Sequence, residues 1–533
     1  MKKKIAAILS VLLTTIIPLP SFAVYSNLTK EEAVSYYKEY LILGTVLFLV
    51  IAIGLFAYWY YLVNQDKIIA GKKVKKSKVI EKDNSKEIFQ VVLMIIGIGL
   101  FVRLVAAIPS PGFANDVALF KYWGRTAADD FVNTYNILGS NIDYPPGYVY
   151  ILATCGFIAK IFGAQDTVAY DLIIKLPAIL ADCGIALFIY KFCKDRVPKK
   201  WIYFFVAFWM ANPLAFIDST VWGQVDSVLT LASVAGFYFV SEKKFIWASM
   251  IFGVGVMLKP QAIIVLPVLC YALFKNKKVK TFILSALTGV GTAVLVALPF
   301  AVNVDMSTAY MQESVTPVLE TLHANGGGFI TTLVTPFAWI LSLFMGTAGH
   351  YDYASVNALN FFFSLGGNWV KDDGALWGLT WFIWGMIFIV IAAALTWFLH
   401  LKTKDSKALP FVSASVILLL VANFGPRMHE RYFFPAIVFL LIAAIIRNNR
   451  CLFGIGILAS VFGYFTVLEV LVDLNLGTPY MWLLQSDWPA SIHGLRCLIS
   501  WGNVVVASAV AVFAIADSFD KIKGTGFDKK IWR

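Results

Sequence analysis

Long apolar stretches separated by short polar turns recur along almost the whole chain of 533 residues. Many of them approach the ~20 residues that a helix needs to cross a bilayer, so the pattern predicts an all-α polytopic membrane protein with about 13 transmembrane helices (range about 11 to 15). The predicted spans are residues 40–62, 88–108, 170–192, 201–217, 224–240, 245–258, 261–275, 281–301, 375–399, 408–424, 433–447, 451–468 and 496–516.

Two further apolar stretches are ambiguous, and the distribution of Lys and Arg decides how they are interpreted. We interpret residues 146–163 as an interfacial or re-entrant helix and residues 329–346 as part of a large external loop. Basic residues collect in short cytoplasmic loops. If neither stretch crosses the membrane, every basic cluster is cytoplasmic; if only one crosses, the downstream loops invert. These clusters lie at 67–86, 191–200, 243–244, 275–280, 402–407, 447–450 and 521–533.

The first residues resemble an export signal. A basic head at residues 1–4 precedes an apolar core at 5–17 and a small-x-small cleavage site at 21–23. An uncleaved first span is the alternative. The chain thus divides into a signal peptide or first span (1–23), an N-terminal span with a basic cytoplasmic loop (24–87), a central membrane domain (88–450), and C-terminal spans with a basic cytoplasmic tail (451–533).

Composition agrees with a membrane protein and narrows the chemistry. Hydrophobic residues make up 59% of the chain and charged residues 14%, whereas a soluble domain needs far more charge on its surface. The net charge of +12 follows from the cytoplasmic clusters and favours anionic lipid head groups. It does not indicate nucleic-acid binding, because basic faces interleaved with aromatic residues are missing.

Cofactor motifs are missing as well. The six cysteines have neither CxxC nor metal-ligand spacing, so we predict neither a zinc site nor a disulfide framework. Gly326-Gly327-Gly328 lacks the Lys-Ser/Thr that completes a phosphate loop. We therefore predict no cofactor, and a divalent metal stays an alternative that no residue pattern supports. Since the cytoplasmic loops are too short for a nucleotide-binding domain, an activated substrate is expected to arrive through the membrane.

Four turns far apart in sequence carry polar and ionisable residues to the same predicted external face. Ionisable groups at a membrane edge are costly and are functional candidates by default. The first turn holds Asp116 and then Asp143-Tyr144-Pro145-Pro146. The others hold Asp218 with Trp222-Gly223-Gln224-Val225-Asp226, Lys259-Pro260-Gln261, and residues 425–432 with His429, Glu430 and Arg431.

Each candidate also has a purely structural alternative. Asp116 can cap the helix that follows it, Lys259 can snorkel from a helix end, and Trp222 suits an aromatic interface belt. Asp226 can cap the next span or tie adjacent helices. Residues 429–431 can form a local charge cluster that neutralises only itself.

The order and spacing of these motifs resemble GT-C type integral-membrane glycosyltransferases, in particular bacterial proteins similar to the second mannosyltransferase of GPI-anchor assembly. The resemblance covers about residues 90–450. It rests on Asp116 with Phe120 and Trp123, Asp143-Tyr144-Pro145-Pro146, Leu176-Pro177-Ala178-Ile179-Leu180-Ala181-Asp182, Asn212-Pro213, Trp222-Gly223-Gln224-Val225-Asp226, Lys259-Pro260-Gln261, Asn357-Ala358-Leu359-Asn360 and His429-Glu430-Arg431-Tyr432.

The resemblance implies a GT-C fold in which a large external first loop carries interfacial helices and the catalytic acid. Asp116 is the matching position. Many relatives have a pair of acids there, whereas Asn115 precedes Asp116 in this chain. Because this position is not acidic, the chain lacks the second acid that the relatives would use there, for example to bind a metal.

The implied reaction is inverting transfer of a hexose (mannose, glucose or galactose) from a polyprenyl-phosphate donor to an acceptor hydroxyl. Asp116 would act as general base. Arg431 is the first candidate for binding the donor phosphate, because a guanidinium suits two-point phosphate contacts; Lys259 and His429 come next. The remaining candidates, expected to bind substrate, are Tyr144, Trp222, Gln224, Asp226 and Glu430.

These expectations place the enzyme in cell-envelope glycan synthesis at a bacterial plasma membrane, with the active site outside and the C-terminus in the cytoplasm. The acceptor would be a glycan, a glycolipid or a protein. Two alternatives share the spans and the membrane-edge cations: a transporter or flippase for polyprenyl-linked sugars, and an oligosaccharide ligase of the same superfamily.

Overall fold

The structure is a computed structural model of the chain. It describes residues 30–71, 85–302, 328–404, 406–474, 490–521 and 528–531. The predicted signal peptide or first span at residues 1–23 lies outside the described residues.

Helices dominate the described residues, and four two-residue strands accompany them. In chain order the helices are α1 (Lys30–Gly71), α2 (Ser85–Ala107), α3 (Ala114–Asp129), α4 (Thr134–Leu138), α5 (Pro146–Ile161), α6 (Val168–Cys193), α7 (Lys199–Met210), α8 (Pro213–Phe216), α9 (Asp226–Ser241), α10 (Phe245–Leu258), α11 (Leu266–Asn276), α12 (Val279–Ala301), α13 (Phe329–His350), α14 (Phe361–Ser364), α15 (Trp381–Lys402), α16 (Leu409–Phe424), α17 (Phe434–Arg447), α18 (Arg450–Leu474) and α19 (Ala490–Ser518). The strands are β1 (Ser355–Val356), β2 (Ala375–Leu376), β3 (Leu379–Thr380) and β4 (Met428–His429).

Three short helical segments of other pitch interrupt this pattern. A π-helical segment, Ile217–Trp222, continues α8, and 3₁₀ segments occupy Gly139–Asn141 and Pro260–Val265. The π-helical pitch is rare and occurs mostly at functional sites. It lies in the second of the four predicted turns.

Local sequence explains where several helices begin. The Asn212 side chain accepts hydrogen bonds from the backbone N–H groups of Leu214 and Ala215, at 3.0 and 3.2 Å, and Pro213 occupies the first position of α8. Asn is a strong N-cap, and Pro is tolerated in a first turn because no N–H is needed there. Pro146 likewise starts α5, while Thr380 caps α15.

Seven helices in the described part of the chain are long and apolar enough to cross a bilayer. The bent pair α7 and Pro213–Trp222, with an angle of 42° between its halves, would be an eighth span. The protein is therefore an all-α, multi-pass membrane protein. The long segments are Val34–Asn64, Ser85–Ala107, Val168–Cys193, Val279–Ala301, Trp381–Lys402, Arg450–Asp473 and Ile492–Ser518.

Shorter apolar helices occupy the other predicted spans. Each of the stretches 224–240, 245–258, 261–275, 408–424 and 433–447 contains an apolar helix of 10 to 17 residues, so the count of 13 spans stays a prediction. One boundary was wrong: residues 375–380 form the β2–β3 hairpin, and the helix expected from 375 begins at Trp381. The ambiguous stretches 146–163 and 329–346 form the helices α5 and α13, and their interpretation as an interfacial or re-entrant helix and as part of an external loop stays a prediction.

The main core joins α1, α2 and α6 to α11 with the C-terminal helices α15 to α19. Helix α17 is its centre, because every residue from Phe434 to Ile445 is buried. Burial on all sides is expected for a uniformly apolar helix. A second core, with Phe120, Trp123 and Tyr148 among its residues, joins α3 to α5.

Residues 351–380, which we call the cap, follow α13 and pair with the turn between α16 and α17. Strand β1 of the cap is parallel to β4, with Ser355 opposite Met428 and Val356 opposite His429. Arg427 N–H also donates to the Tyr353 carbonyl at 3.0 Å. These backbone contacts attach the cap to the fourth predicted turn.

Candidate functional site

A cavity of about 1040 Å³ lies where the four predicted turns and the cap meet. Ligand pockets of this kind are largely apolar and carry a few convergent polar groups. Its walls contain eight of the nine site residues predicted from sequence: Asp116, Tyr144, Trp222, Gln224, Lys259, His429, Glu430 and Arg431. Asp226, the ninth, is completely buried outside the cavity wall, where it contacts Lys259 and Arg431.

Asp116 lies in the first turn of α3, and the start of that helix is held against the π-helical segment. Phe113 N–H donates to the Trp222 carbonyl at 3.2 Å, and the two rings meet edge to face at 5.6 Å. Gly112 precedes them with a φ of 83°, and a Cβ there would lie 2.6 Å from the Trp222 carbonyl oxygen. Only glycine fits this turn, which brings α3 close enough for Asp116 to reach Trp222.

Two donors hold the Asp116 carboxylate by one oxygen. Trp222 Nε1 donates to Oδ2 at 2.7 Å, and Gln224 Nε2 donates to the same oxygen. Among the residues that the structure describes, Oδ1 accepts no hydrogen bond. The carboxylate is thus oriented through Oδ2, while Oδ1 keeps the lone pairs that a general base uses.

The backbone between Trp222 and Gln224 is fixed by the π-helical segment. Gly223 N–H and Gln224 N–H both donate to the Asp218 carbonyl at 3.1 Å, and Gly223 adopts a left-handed φ of 88°. This turn directs two side chains, two positions apart in sequence, toward one carboxylate. The predicted grouping of Trp222, Gln224 and Asp116 therefore exists in three dimensions.

Arg431 is the centre of an ionic network that joins three of the turns. Its guanidinium carbon lies 4.0 Å from the centre of the Trp222 ring. Nε lies 3.3 Å from Asp226 Oδ2, and Nη1 pairs with Glu430. Lys259 Nζ lies 2.6 Å from the other Asp226 oxygen. A desolvated cation–π contact contributes about 2 kcal/mol, and the buried carboxylates keep both cations in place.

This network limits how Arg431 can bind phosphate. Two of its three nitrogens face carboxylates, and 10% of its side chain is exposed. The two-point phosphate contact expected from sequence would displace one of these ion pairs. Lys259, 7% exposed, is paired with Asp226, and Arg427 is paired through Nε with Asp372 at 2.6 Å but is 28% exposed. His429 is 18% exposed and lies 4.0 Å from Glu430. Arg427 therefore offers the most accessible positive charge among these four cavity residues.

Burial and neighbouring charges set the protonation of groups around the fourth turn. Burial opposes the charge on Arg431, but the surrounding carboxylates, first Glu430, raise the pKa of its guanidinium above the ordinary value. Burial also raises the pKa of Glu430, against the influence of Arg431. Burial, followed by Asp143 and Asp116, raises the pKa of Tyr351 to about 12. Tyr351 keeps its proton at neutral pH and can donate a hydrogen bond.

The structure resolves the alternatives left open by sequence. Asp116 is not a helix cap, because Phe113 holds the N-cap position of α3. Trp222 is 1% exposed and so belongs to no interface belt, and Lys259 is paired with Asp226 instead of snorkelling. Asp226 does tie adjacent segments together, as one alternative held. The cluster at 429–431 does not neutralise only itself, since Arg431 also contacts Asp226.

Tyr144 forms part of the cavity wall beside α3. Its ring lies 5.6 Å from Phe120 and 5.5 Å from Trp123. Tyr135 Oη donates to the Tyr144 carbonyl at 2.7 Å, which fixes the loop before Pro145. The aromatic residues downstream of Asp116 thus support the Tyr-Pro-Pro turn.

Sequence reasoning missed several cavity residues of the cap and its neighbours. Tyr351, Asn357 and Trp369 line the cavity, and Arg427 lies beside them. Asn357 belonged to a recognised motif but received no role. Tyr351 and Trp369 lie among many aromatic residues, and their position depends on the pairing of β1 with β4, which two-residue strands do not reveal in sequence.

A buried ion pair behind the cavity was also missed. Asp182 on α6 accepts from Arg103 Nε at 3.2 Å, Ser219 Oγ at 2.6 Å and Ser227 Oγ at 2.8 Å. Arg103 also donates to the Met210 carbonyl at 2.6 Å. A charged residue in each of two apolar stretches was the available signal. The pair links α2 and α6 to the π-helical segment and α9.

Lys175 attaches the loop before α3 to α6, and Ser110 of that loop attaches it to the π-helical segment. Lys175 Nζ donates to the Ser110 carbonyl at 2.5 Å, and Ser110 Oγ donates to the Val221 carbonyl at 3.0 Å. Both side chains are buried. Together with the Phe113–Trp222 hydrogen bond, these contacts determine where the first turn of α3 meets Trp222.

Within the described ranges, no group of three or more His, Cys, Asp or Glu side chains is arranged to hold a metal ion. All six cysteines are free thiols. No known family model matches this chain, and none of the curated proteins is significantly similar to it.

Proposed function

We propose that the protein is an inverting membrane glycosyltransferase that moves a hexose from a polyprenyl-phosphate donor to an acceptor hydroxyl, in cell-envelope glycan synthesis at the outer face of a bacterial plasma membrane. The observation that carries the proposal is the Asp116 carboxylate, oriented by Trp222 and Gln224 on the wall of a cavity that also holds cations. The family resemblance of the motifs supplies the reaction class.

The first half of the reaction uses Asp116 as general base. Asp116 Oδ1 takes the proton of the acceptor hydroxyl while the acceptor oxygen forms a bond to the anomeric carbon. Because both donors bind Oδ2, taking up this proton disturbs neither of their hydrogen bonds. A positioned base of this kind contributes about 10²- to 10⁴-fold in rate.

The second half is departure of the polyprenyl phosphate from the opposite face of the sugar. The bond between the anomeric carbon and the phosphate oxygen breaks, and its electron pair stays with the phosphate. Preorganised cations stabilise this developing charge. Arg427 and His429 are the more exposed candidates, while Lys259 and Arg431 act from the edge of their ion pairs with Asp226.

The cavity wall also suits a lipid-linked donor. One set of lining residues is apolar and comes from the 3₁₀ segment after Lys259, from α13 and from α15. A polyprenyl chain requires contacts of this kind, because isoprene units offer no hydrogen-bonding groups. These residues are Ile263, Ile264, Phe344, Met345, Met386 and Ile389.

The testing experiment is the substitution Asp116→Asn in the purified protein, assayed for transfer from polyprenyl-phosphate mannose, glucose and galactose. Asn keeps the shape, and its carbonyl oxygen still accepts both hydrogen bonds from Trp222 and Gln224. The base is lost, so transfer should fall by about 10²-fold or more while the protein folds normally.

Asp129→Asn, at the other end of α3, is the matched control and should leave transfer unchanged, since Asp129 pairs only with exposed Lys160 among the described residues. Full activity of Asp116→Asn would remove the proposed base. Movement of intact donor across a vesicle membrane, without transfer by the unmodified protein, would favour the flippase instead.

A further inference from the structure

We propose that Trp369, Tyr351 and Asn357 form a subsite for a pyranose ring of the acceptor, so that the acceptor is a glycan and not a protein hydroxyl. This inference rests on the proposed function and names its second substrate. The three residues belong to the cap and line the same cavity as Asp116.

Trp369 presents a partly exposed indole to the cavity from a constrained backbone. Its φ is 55°, a left-handed value that a bulky residue adopts only when its surroundings enforce it. The backbone N–H of Trp369 donates to the Ser355 carbonyl at 2.9 Å, which fixes the backbone of Trp369 to β1. Tyr353 packs against the ring at 5.1 Å.

Asn357 holds the indole and retains a donor of its own. Trp369 Nε1 donates to Asn357 Oδ1 at 2.8 Å. Because an indole nitrogen only donates, this contact identifies Oδ1 as the carbonyl oxygen of the amide. Within the described part of the chain, Nδ2 makes no hydrogen bond. A nearly buried amide group on the cavity wall is thus ready to bind a ligand oxygen.

Tyr351 completes the subsite beside His429. The two rings meet edge to face at 4.8 Å, and Tyr351 lies 6.4 Å from Trp369. The Tyr351 hydroxyl keeps its proton at neutral pH. The subsite therefore combines aromatic faces, which pack on the C–H face of a sugar ring, with amide and hydroxyl groups that bond sugar hydroxyls.

The composition of the cavity separates this subsite from the donor lipid. Polyprenyl units require the apolar residues of α13 and α15, whereas a hydroxyl-rich ring requires the aromatic and amide groups of the cap. The donor sugar must place its anomeric carbon by Asp116. A second sugar ring is the occupant that the cap residues fit.

The test compares Trp369→Leu with Trp377→Leu in the full chain, reconstituted in nanodiscs. Trp377 is a matched control: it is a tryptophan of the same cap with a φ of 49°, but it is 68% exposed and does not line the cavity. The donors are the three polyprenyl-phosphate hexoses, and the acceptors are methyl pyranosides and the peptide acetyl-Gly-Ser-Gly-amide. Hydrolysis of the donor by water is measured in parallel.

Trp369→Leu should raise KM for the methyl pyranoside by about tenfold or more, equivalent to a binding loss of about 1.4 kcal/mol. Donor hydrolysis and donor KM should stay unchanged, and Trp377→Leu should alter none of these values. The unmodified protein should use the pyranoside and not the peptide. Trp369→Phe, which keeps an aromatic ring, should restore most of the pyranoside affinity.

Three results would overturn the subsite. The first is an unchanged pyranoside KM in Trp369→Leu. The second is a raised donor KM in the same variant, which would make this the donor-sugar site. The third is a preference of the unmodified protein for the peptide. If Trp369→Leu fails to fold, Asn357→Gly replaces it, because glycine adopts the φ of 55° at that position without strain. Loss of the amide should then raise the pyranoside KM and leave the donor KM unchanged. If the unmodified protein hydrolyses and transfers none of the donors, the proposed function fails. Saturation-transfer NMR with the methyl pyranosides then decides the subsite by itself, because binding needs no turnover.

Discussion

Trp222 has two roles that involve different parts of one side chain. Its N–H orients Asp116, and its ring face supports the Arg431 guanidinium. Through Arg431 the position of Trp222 is linked to Asp226 and Glu430, so the expected base and the expected cations share one support. Replacing either Trp222 or Arg431 is therefore expected to affect both halves of the site.

Trp222→Phe separates the two roles, because phenylalanine keeps a ring for Arg431 and lacks the N–H. A hydrogen bond to a charged group contributes about 1.5 to 3 kcal/mol, so kcat/KM should fall about ten- to hundredfold. Steady-state transfer kinetics measure this. Trp209→Phe, which removes another buried indole N–H bonded to the Asp182 carbonyl, should not lower kcat/KM comparably. An unchanged rate in Trp222→Phe would mean that Gln224 alone orients Asp116.

The elements that carry the site are short and irregular, and their geometry depends on polar contacts behind the cavity. The π-helical segment is held on one side by Ser110, which Lys175 positions, and on the other by Asp182, which accepts a hydrogen bond from Ser219 of the segment. Helix packing alone does not determine such a segment, because its wider turn lacks the regular α-helical hydrogen bonds. Buried polar contacts supply the directionality that apolar packing lacks.

Removing the Asp182 side chain should destabilise the protein strongly. Asp182→Ala leaves Arg103 as an unpaired buried charge, so the free energy of unfolding should fall by about 3 to 5 kcal/mol. Asp129→Ala removes the exposed ion pair with Lys160 and should change it by less than about 1 kcal/mol. Unfolding in mixed micelles of a mild detergent and dodecyl sulfate compares the two variants. Equal losses would contradict the linking role of Asp182.

At the scale of the whole molecule, the cavity lies between the cap and the ends of several helices, and its side of the membrane determines which substrates reach it. The distribution of basic residues predicts that the cap is external and that the turn between α11 and α12 is cytoplasmic. Both regions offer exposed side chains, Trp377 in the cap and Lys278 in the turn. Their accessibility from each side is directly measurable.

Cysteine labelling tests this orientation in a chain whose six cysteines are replaced. Trp377→Cys should react with a membrane-impermeant maleimide in intact cells, whereas Lys278→Cys should react only after the membrane is permeabilised. We expect this difference because the basic cluster that contains Lys278 is predicted to be cytoplasmic and the cap is predicted to be external. The reverse pattern would place the cavity inside and remove an external donor from the proposed reaction.

The sequence by itself determined the class of protein, most helix positions and the turns that line the cavity. Apolar length is a local property, so a spanning helix such as Val168–Cys193 is visible without knowledge of its neighbours. The cost of placing charge near hydrocarbon is equally local, which is why Asp116, Lys259 and Arg431 stood out before any fold was known. Motif residues close together in sequence, such as Trp222 and Gln224, pointed to one site for the same reason.

Only the tertiary structure decided which partners these residues have. Asp226 contacts both Lys259 and Arg431, and Trp222 is buried beneath a guanidinium, because α9, the 3₁₀ segment and the turn before α17 converge. The cap residues enter the cavity only through the pairing of two-residue strands separated by more than 70 positions in the chain. Contacts at such separations depend on the packing of every intervening helix. For that reason the convergence of these residues on one site could be predicted from sequence, and their individual contacts could not.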